Sequence, residues 1–328
     1  MKKRLLSGMR PTGRMHLGHL LGALNNWINL QDKYDCYFMV ADWHALMTEY
    51  KAYAHKMQDY IIEMVADWIS VGINPAKSVI FLQSDIKEHL ELAMVFSDIT
   101  PLSWLERCPT YKEQIRELKG KELTTYGFLG YPVLQAADIL AYKAEVVPVG
   151  EDQLPHLELT REIGRRFNHI YKTNTFSDPK ALLTKTPRIL GIDNRKMSKS
   201  YDNFIALSGK EEAIKSKVYS MITDPKRIKK TDPGHPGICN VFSYYKIFKP
   251  EITGEVRNWC EGAEKGCTEC KKELAQILID YLEPIRKKSE KLLKDKSYIW
   301  DILKSGAEKA SEIASKTMAE VYRAIGIK

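Results

Sequence analysis

No stretch of this 328-residue chain approaches the run of apolar residues that a membrane helix needs, which is about 18 or more. The basic start Met1-Lys2-Lys3-Arg4 leads only into Leu5-Leu6 before turn residues, too little for a secretory signal, so a cytoplasmic protein is expected. Cysteine is sparse: six in a chain of this length do not make a disulfide scaffold, and cysteines clustered in a reducing compartment point instead to metal. No internal repeat and no low-complexity linker interrupts the chain. Acidic residues are outnumbered, 42 against 50 Lys and Arg, leaving a formal charge of +8 that suits an anionic partner without establishing one. The length accommodates two domains, or one large domain with an appendage, and the apolar content is ample for a packed core.

The first part alternates short β-branched or aromatic runs with longer helical patterns, the signature of parallel α/β structure. Arg4–Met9, Cys36–Ala41, Ser78–Gln83 and Glu145–Val149 read as strands, while Leu17–Leu30, Tyr60–Val71 and Tyr131–Tyr142 carry apolar residues at helical spacing. The expected fold is therefore α/β, with a Rossmann-like parallel sheet over residues 1–202. In such sheets ligands collect beyond the C-terminal ends of the strands, which singles out Ser7 to Gly13, Asp42-Trp43-His44, Gln83-Ser84-Asp85 and Gly150-Glu151-Asp152-Gln153. After about Asp202 the chain turns to Lys-rich amphipathic stretches, so a mostly helical C-terminal domain is expected over 203–303. A last helix within 304–328, from about Lys304 to Ala324, has small and apolar residues on one face and should pack back on the chain.

Two short elements carry the chemistry. His16-Leu17-Gly18-His19 falls where the first strand turns into the first helix, and Lys196-Met197-Ser198-Lys199-Ser200 follows 180 residues later. A helix N-terminus offers unpaired N–H groups and partial positive charge to phosphates, imidazoles add donors, and Gly18 lets a flat base or ribose lie against the backbone. A lysine-bearing loop can close over a triphosphate and offset charge on the leaving pyrophosphate. A P-loop NTPase is the competing expectation, because Gly8-x4-Gly13 follows a strand, but Arg14 and Met15 stand where that motif needs Lys and Ser/Thr. In form and order the two elements resemble the signatures of class I aminoacyl-tRNA synthetases.

The segment Tyr131-Pro132-Val133-Leu134-Gln135-Ala136-Ala137-Asp138-Ile139-Leu140, followed by Pro148-Val149-Gly150-Glu151-Asp152-Gln153 and His156-Leu157-Glu158-Leu159-Thr160-Arg161, is more specific. It resembles the bacterial tryptophanyl-tRNA synthetases, from Ser7 through the second signature and more loosely into Gly306–Ala324. The resemblance implies that Asp138 accepts from the indole N–H, which is a donor only, with Tyr131 and Gln153 near the α-amino group and His44 and Gln135 lining the tryptophan pocket. A pairing of Asp138 with Lys143 is the structural alternative. For ATP the resemblance implies Arg10, His16, Gly18, His19, Gly150, Asp152, Lys196, Met197 and Lys199, with Lys112, Lys196 and Lys199 stabilising charge at phosphorus together with Mg²⁺. Many bacterial members have Thr-Ile-Gly-Asn in place of His16-Leu17-Gly18-His19, Gln in place of Arg10 and Met in place of Gln135. The implied partners are L-tryptophan, ATP and tRNA(Trp), bound by a homodimer. Tyrosyl-tRNA synthetase and a non-enzymatic RNA-binding metal protein are the competing functions.

Cys239, Cys260, Cys267 and Cys270 form a quartet spaced C-x20-C-x6-C-x2-C in the helical region, whereas Cys36 and Cys108 lie apart. Four thiolates suit a tetrahedral zinc or a [4Fe–4S] cluster. The spacing resembles that subset of bacterial tryptophanyl-tRNA synthetases that holds a [4Fe–4S] cluster in the anticodon-binding region, with a slightly shorter first gap here. Lys265, Lys271 and Lys272 then form a basic rim for RNA.

Overall fold

A computed structural model describes residues 2–50, 55–109, 111–112, 115, 125–183 and 189–327. Among them, five parallel strands, β1 (Arg4–Met9), β2 (Asp35–Val40), β3 (Ser78–Leu82), β4 (Val146–Val149) and β5 (Lys180–Leu183), form one sheet in the order β3-β2-β1-β4-β5. The register pairs Leu5 with Cys36 and Cys36 with Ser78, and Leu5 faces Val146 on the other side. Side chains alternate between the two faces: Leu5, Phe38 and Ile80 join one buried cluster, and Leu6, Tyr37 and Phe81 the other. β5 was not expected from the sequence. Lys-Ala-Leu-Leu has no β-branched residue, and as an outer strand it is only partly buried.

The helices cover both faces. α1 (Leu17–His19) passes through a π-helical stretch, Leu20–Leu24, into α2 (Asn25–Leu30), so the segment expected as one regular helix contains a wide turn. Such turns recur at functional sites. Beyond it Trp27 stacks on Phe38, ring centroids 4.4 Å apart, and meets the edge of Trp68. Then come α3 (Asp42–Glu49), α4 (Met57–Val71), α5 (Glu88–Ile99), α6 (Leu102–Arg107), α7 (Tyr126–Leu129), α8 (Tyr131–Ala141) and α9 (Leu154–Tyr171). α10 (Glu211–Tyr219), α11 (Asn240–Phe248), α12 (Thr253–Glu261), α13 (Cys267–Lys294) and α14 (Lys296–Ile325) complete a helical C-terminal part. No helix of the described residues is long and apolar enough to cross a membrane.

α14 starts earlier than its small-residue pattern predicts, because Asp295 caps it through the Tyr298 N–H and Ile299 and Leu303 are already buried. It straddles the outer strand β3. Ile299 and Leu303 join the cluster on one face of the sheet, and Ala310, Ala314, Met318 and Val321 join that on the other. Gly306, between the two groups, rests on the backbone of Ile80 so closely that a Cβ would overlap the Ile80 carbonyl oxygen. Glycine inside a helix costs about 1 kcal/mol relative to alanine, but here any side chain would push the helix off the strand. Gly306→Ala should therefore destabilise the protein by about 2 kcal/mol or more despite its better helix propensity. A thermal melt with an unchanged or raised midpoint would contradict this packing.

Candidate active site

A cleft of about 600 Å³ opens between the C-terminal ends of β1 and β4, where the strand order turns from leftward to rightward and ligands collect in doubly wound sheets. Arg10, His19, His44, Tyr131, Gln135, Asp138, Gly150 and Gln153 all line it. Gly8 keeps the wall thin, since a Cβ there would stand 2.9 Å from the Met39 carbonyl oxygen.

Asp138, on α8, is 2% exposed. Its Oδ1 accepts from Gln83 Nε2 at 2.8 Å and His89 Nδ1 at 2.6 Å, and its Oδ2 from His44 Nε2 at 2.7 Å. Burial alone would raise this carboxyl group's pKa, but His89 and His44 together drive it far below the ordinary carboxylate range, so it is ionised. Three of its roughly four acceptor positions are used, and one is open. The alternative partner Lys143 is engaged elsewhere, at 2.7 Å from Glu320.

A second chain of polar groups runs along α8 and α9. Tyr131 Oη lies 2.6 Å from His156 Nε2, His156 Nδ1 lies 2.9 Å from Gln153 Oε1, and Gln153 Nε2 donates to Asp152 Oδ2 at 3.0 Å. Burial pushes the His156 pKa down to about 4, against the pull of Asp152, so the ring is neutral. With Nδ1–H donating to Gln153, Nε2 accepts the Tyr131 hydroxyl proton. Gly150 is packed tightly, as a Cβ there would lie 2.6 Å from Asp152 Oδ1.

The two signature elements meet at the mouth of the cleft despite their separation in sequence. Leu17 N–H donates to Ile205 O and Leu207 N–H to Met15 O, each at 3.0 Å, so the chain after the lysine loop runs antiparallel to the chain entering α1. Buried Asn203 shapes the loop by donating to Asp193 and the Lys196 carbonyl and accepting the Ser198 N–H. Met197 Sδ accepts from the Gly18 N–H at 3.3 Å, and Lys199 Nζ donates to the Gly13 carbonyl at 2.8 Å. Burial, with Arg10 nearby, lowers the Lys199 pKa to about 8. His16 and His19 lie ring against ring at 3.7 Å; burial lowers the His16 pKa to about 3 and that of His19 well below its usual value. Both imidazoles are thus neutral. His19 Nδ1 accepts the His16 N–H at 3.2 Å, which leaves its Nε2–H as a donor. Positive charge at this mouth comes from Arg10 and the lysines. Lys196 is exposed, and Lys112 is exposed on a helical backbone and does not line the cleft; Thr110 and Glu113 beside it lie outside the described residues.

The cysteine quartet lies away from this cleft. Burial raises the thiol pKa of Cys239, Cys260 and Cys270, the last to about 12, and each is raised further by others of the four, so the quartet lies within mutual electrostatic reach. All four are free thiols, and among the described residues no group of three or more His, Cys, Asp or Glu is arranged to hold a metal ion.

Known proteins share this architecture. The chain belongs to the class I tRNA synthetases of the tryptophan and tyrosine group, whose family profile, "tRNA synthetases class I (W and Y)", matches residues 1–283. It is 50% identical to the tryptophan–tRNA ligase of Thermotoga maritima, over 99% of both chains, and 43% identical to that of Aquifex aeolicus, over 99% of this chain and 100% of the relative. Among solved structures, the tryptophanyl-tRNA synthetase of Campylobacter jejuni, complexed with ADP and tryptophan, superposes with a TM-score of 0.91 at 34% identity, covering 98% of this chain and 99% of the other.

Sequence reasoning missed Gln83 as a partner of Asp138, named His156 only as part of a matched segment without a role, and missed His89 altogether. Gln83 was within a strand-end segment, but nothing in the spacing of a helical His such as His89 marks a partner 49 residues away.

The lowered Lys199 pKa has a kinetic signature. Protonated Lys199 is the form that offsets phosphate charge, so kcat/KM for ATP in amino-acid-dependent pyrophosphate exchange should fall as pH rises through about 8. Lys199→Arg should remove that basic limb. A profile flat to pH 9.5 in the unmodified protein would exclude the role.

Proposed function

We propose that this protein is a tryptophan–tRNA ligase, which activates tryptophan with ATP and transfers the tryptophanyl group to tRNA(Trp). The observation that carries the substrate is the buried, ionised Asp138 with one open acceptor position. An indole N–H supplies the missing donor. Tryptophan–tRNA ligases at 50% and 43% identity over essentially full length support the same substrate. Tyrosine has a smaller ring than the indole and would leave a void beside Asp138 in a pocket shaped for tryptophan, and this counts against the tyrosine branch of the family.

In the reaction the tryptophan carboxylate attacks the α-phosphorus of ATP, pyrophosphate leaves as its Mg²⁺ complex, and a terminal ribose hydroxyl of tRNA displaces AMP from the adenylate. The protein positions the groups and stabilises charge. Tyr131, whose hydroxyl proton is held by His156, accepts from the ammonium together with Gln153. His44 and Gln135 complete the tryptophan pocket. Asp152 accepts from the ribose and Gly150 lets the nucleotide approach; Arg10, His16, Gly18, His19 and Met197 receive the remainder of the nucleotide. Lys112, Lys196 and Lys199 offset charge as the phosphorus becomes pentavalent.

Residues 1–202 would form the catalytic domain and 203–303 the anticodon-binding domain, and the helix expected within 304–328, which as α14 already starts at Lys296, packs back on the sheet. Exposed apolar side chains at Met94, Leu102 and Tyr126, 61, 62 and 78% accessible, favour a homodimer. Cys239, Cys260, Cys267 and Cys270 are assigned to a [4Fe–4S] cluster, with Zn²⁺ the alternative. One observation supports that fit: all four are thiols in mutual electrostatic reach. Such a group would tie α11, α12 and α13 together beside the basic rim of Lys265, Lys271 and Lys272.

Tryptophan, and not tyrosine or phenylalanine, should drive ATP–pyrophosphate exchange. Asp138→Ala should raise the KM for tryptophan roughly 10- to 100-fold, as for loss of a hydrogen bond to a charged group. Equal rates with tyrosine would overturn the substrate. Protein prepared without air should be brown with about four irons per chain, as a [4Fe–4S] cluster requires, and Cys267→Ser should bleach it and impair tRNA charging more than exchange. Stoichiometric zinc without iron would replace the cluster by a zinc site.

A further inference from the structure

The two oxygens of Asp138 are not equivalent. Oδ1 is held by Gln83 and His89, both 0% exposed and neither lining the cleft, whereas Oδ2 is held by His44, which does line it. A carboxylate only accepts hydrogen bonds, so the bonded nitrogens of His89 and His44 both carry protons. The opposite nitrogen of His89 is also occupied, since Nε2 lies 2.8 Å from Tyr142 Oη. Burial, with Asp138 and Glu88 nearby, holds the Tyr142 phenol in its protonated form. The His89 ring is further flanked by Phe81 at 6.3 Å, nearly parallel to it. A residue so completely enclosed cannot touch a ligand, yet it determines which way the Asp138 carboxylate faces in the cleft.

We propose that Gln83 and His89 are positioning residues for side-chain recognition: by saturating Oδ1 from inside the fold, they stop the Asp138 carboxylate from turning and keep its open acceptor position on Oδ2, toward the cleft. This rests on the assignment of tryptophan as substrate. Without the inner pair, the carboxylate can rotate about its terminal torsion, a broad two-fold rotor, and it also loses donors that favour its ionised form. The titratable groups facing it are His44 from α3, His89 from α5 and Tyr142 at the end of its own helix, with Glu88 and Tyr37 acting on Tyr142 and His44 acting on His156 of α9.

Three variants test the proposal in tryptophan-dependent ATP–pyrophosphate exchange. His89→Leu removes a donor. His89→Asn keeps one, because the asparagine amide nitrogen takes the place of the histidine Nδ1. Gln83→Met removes the other donor at similar volume. His89→Leu and Gln83→Met should each raise the KM for tryptophan about tenfold or more, with the KM for ATP unchanged. In His89→Leu an acid limb should also enter the tryptophan kcat/KM profile as pH falls, because the carboxylate is no longer held ionised. His89→Asn should restore both the KM and the unmodified protein's profile on the acid side. Tryptophan KM values within twofold of the unmodified protein in Gln83→Met and in folded His89→Leu would overturn the proposal, as would a His89→Asn variant no better than His89→Leu. If His89→Leu does not fold, Gln83→Met and His89→Asn decide by the same criteria. Failure of the unmodified protein to exchange with tryptophan would instead overturn the substrate, before any variant is compared.

Discussion

The pairing of β1 with β2 on one side and β4 on the other is the constraint on which the rest of the molecule depends. Because the chain leaves β1 in one direction along the sheet and returns beyond it in the other, the helices on the two sides diverge above β1 and a crevice opens there. Gly8 allows β1 to lie close against Met39, and the turn after it delivers His19 of α1 to the crevice, while the Leu17 and Gly18 N–H groups are taken up by Ile205 and Met197 of the lysine loop and the chain after it. The lysine loop arrives by pairing with the strand-like approach to α1, through Met15 and Leu207. Contacts separated by 180 residues are thereby as local in space as a hairpin.

Electrostatics in the cleft are arranged in advance of any ligand. A carboxylate as buried as Asp138 would cost several kcal/mol if left alone, and three donors from three different elements offset that cost. The opposite choice is made at the mouth, where burial keeps His16 and His19 neutral and leaves the positive charge to Arg10 and the lysines. Neutral donors orient an anion without competing with those cations. The cleft therefore has a negative floor and a positive rim, the polarity that a zwitterion joined to a polyphosphate requires.

How much of this could be read from the residues alone depended on the range of the interaction. Four strands and the helical C-terminal part were legible because hydrophobic periodicity is a local property, and β5 was not because it is short, partly exposed and without β-branched residues. The π-helical turn within Leu17–Leu30 escaped notice for a related reason: its apolar spacing still fits an ordinary helix. The two signature elements stood out because few other chemistries require those residue types at those positions. The setting of Asp138 did not, since Gln83, His89 and His44 converge on it from the turn after β3, from α5 and from α3, and no spacing rule links them. Only the fold shows that Lys143 turns away to Glu320.

α14 wraps the outer edge of the sheet with both ends buried on opposite faces, and this has a consequence for the order in which the protein is made. Roughly 200 residues separate β3 from the helix that covers it. At synthesis rates of about 5–20 residues per second, the strand spends on the order of 10–40 seconds on the ribosome with its outer edge bare. Unpaired edges of that kind recruit other strands. The nascent chain thus carries a sticky seam through most of its translation, closed only when the last helix emerges, and whatever shields nascent chains in the cell must act on this one before its C-terminal helix exists.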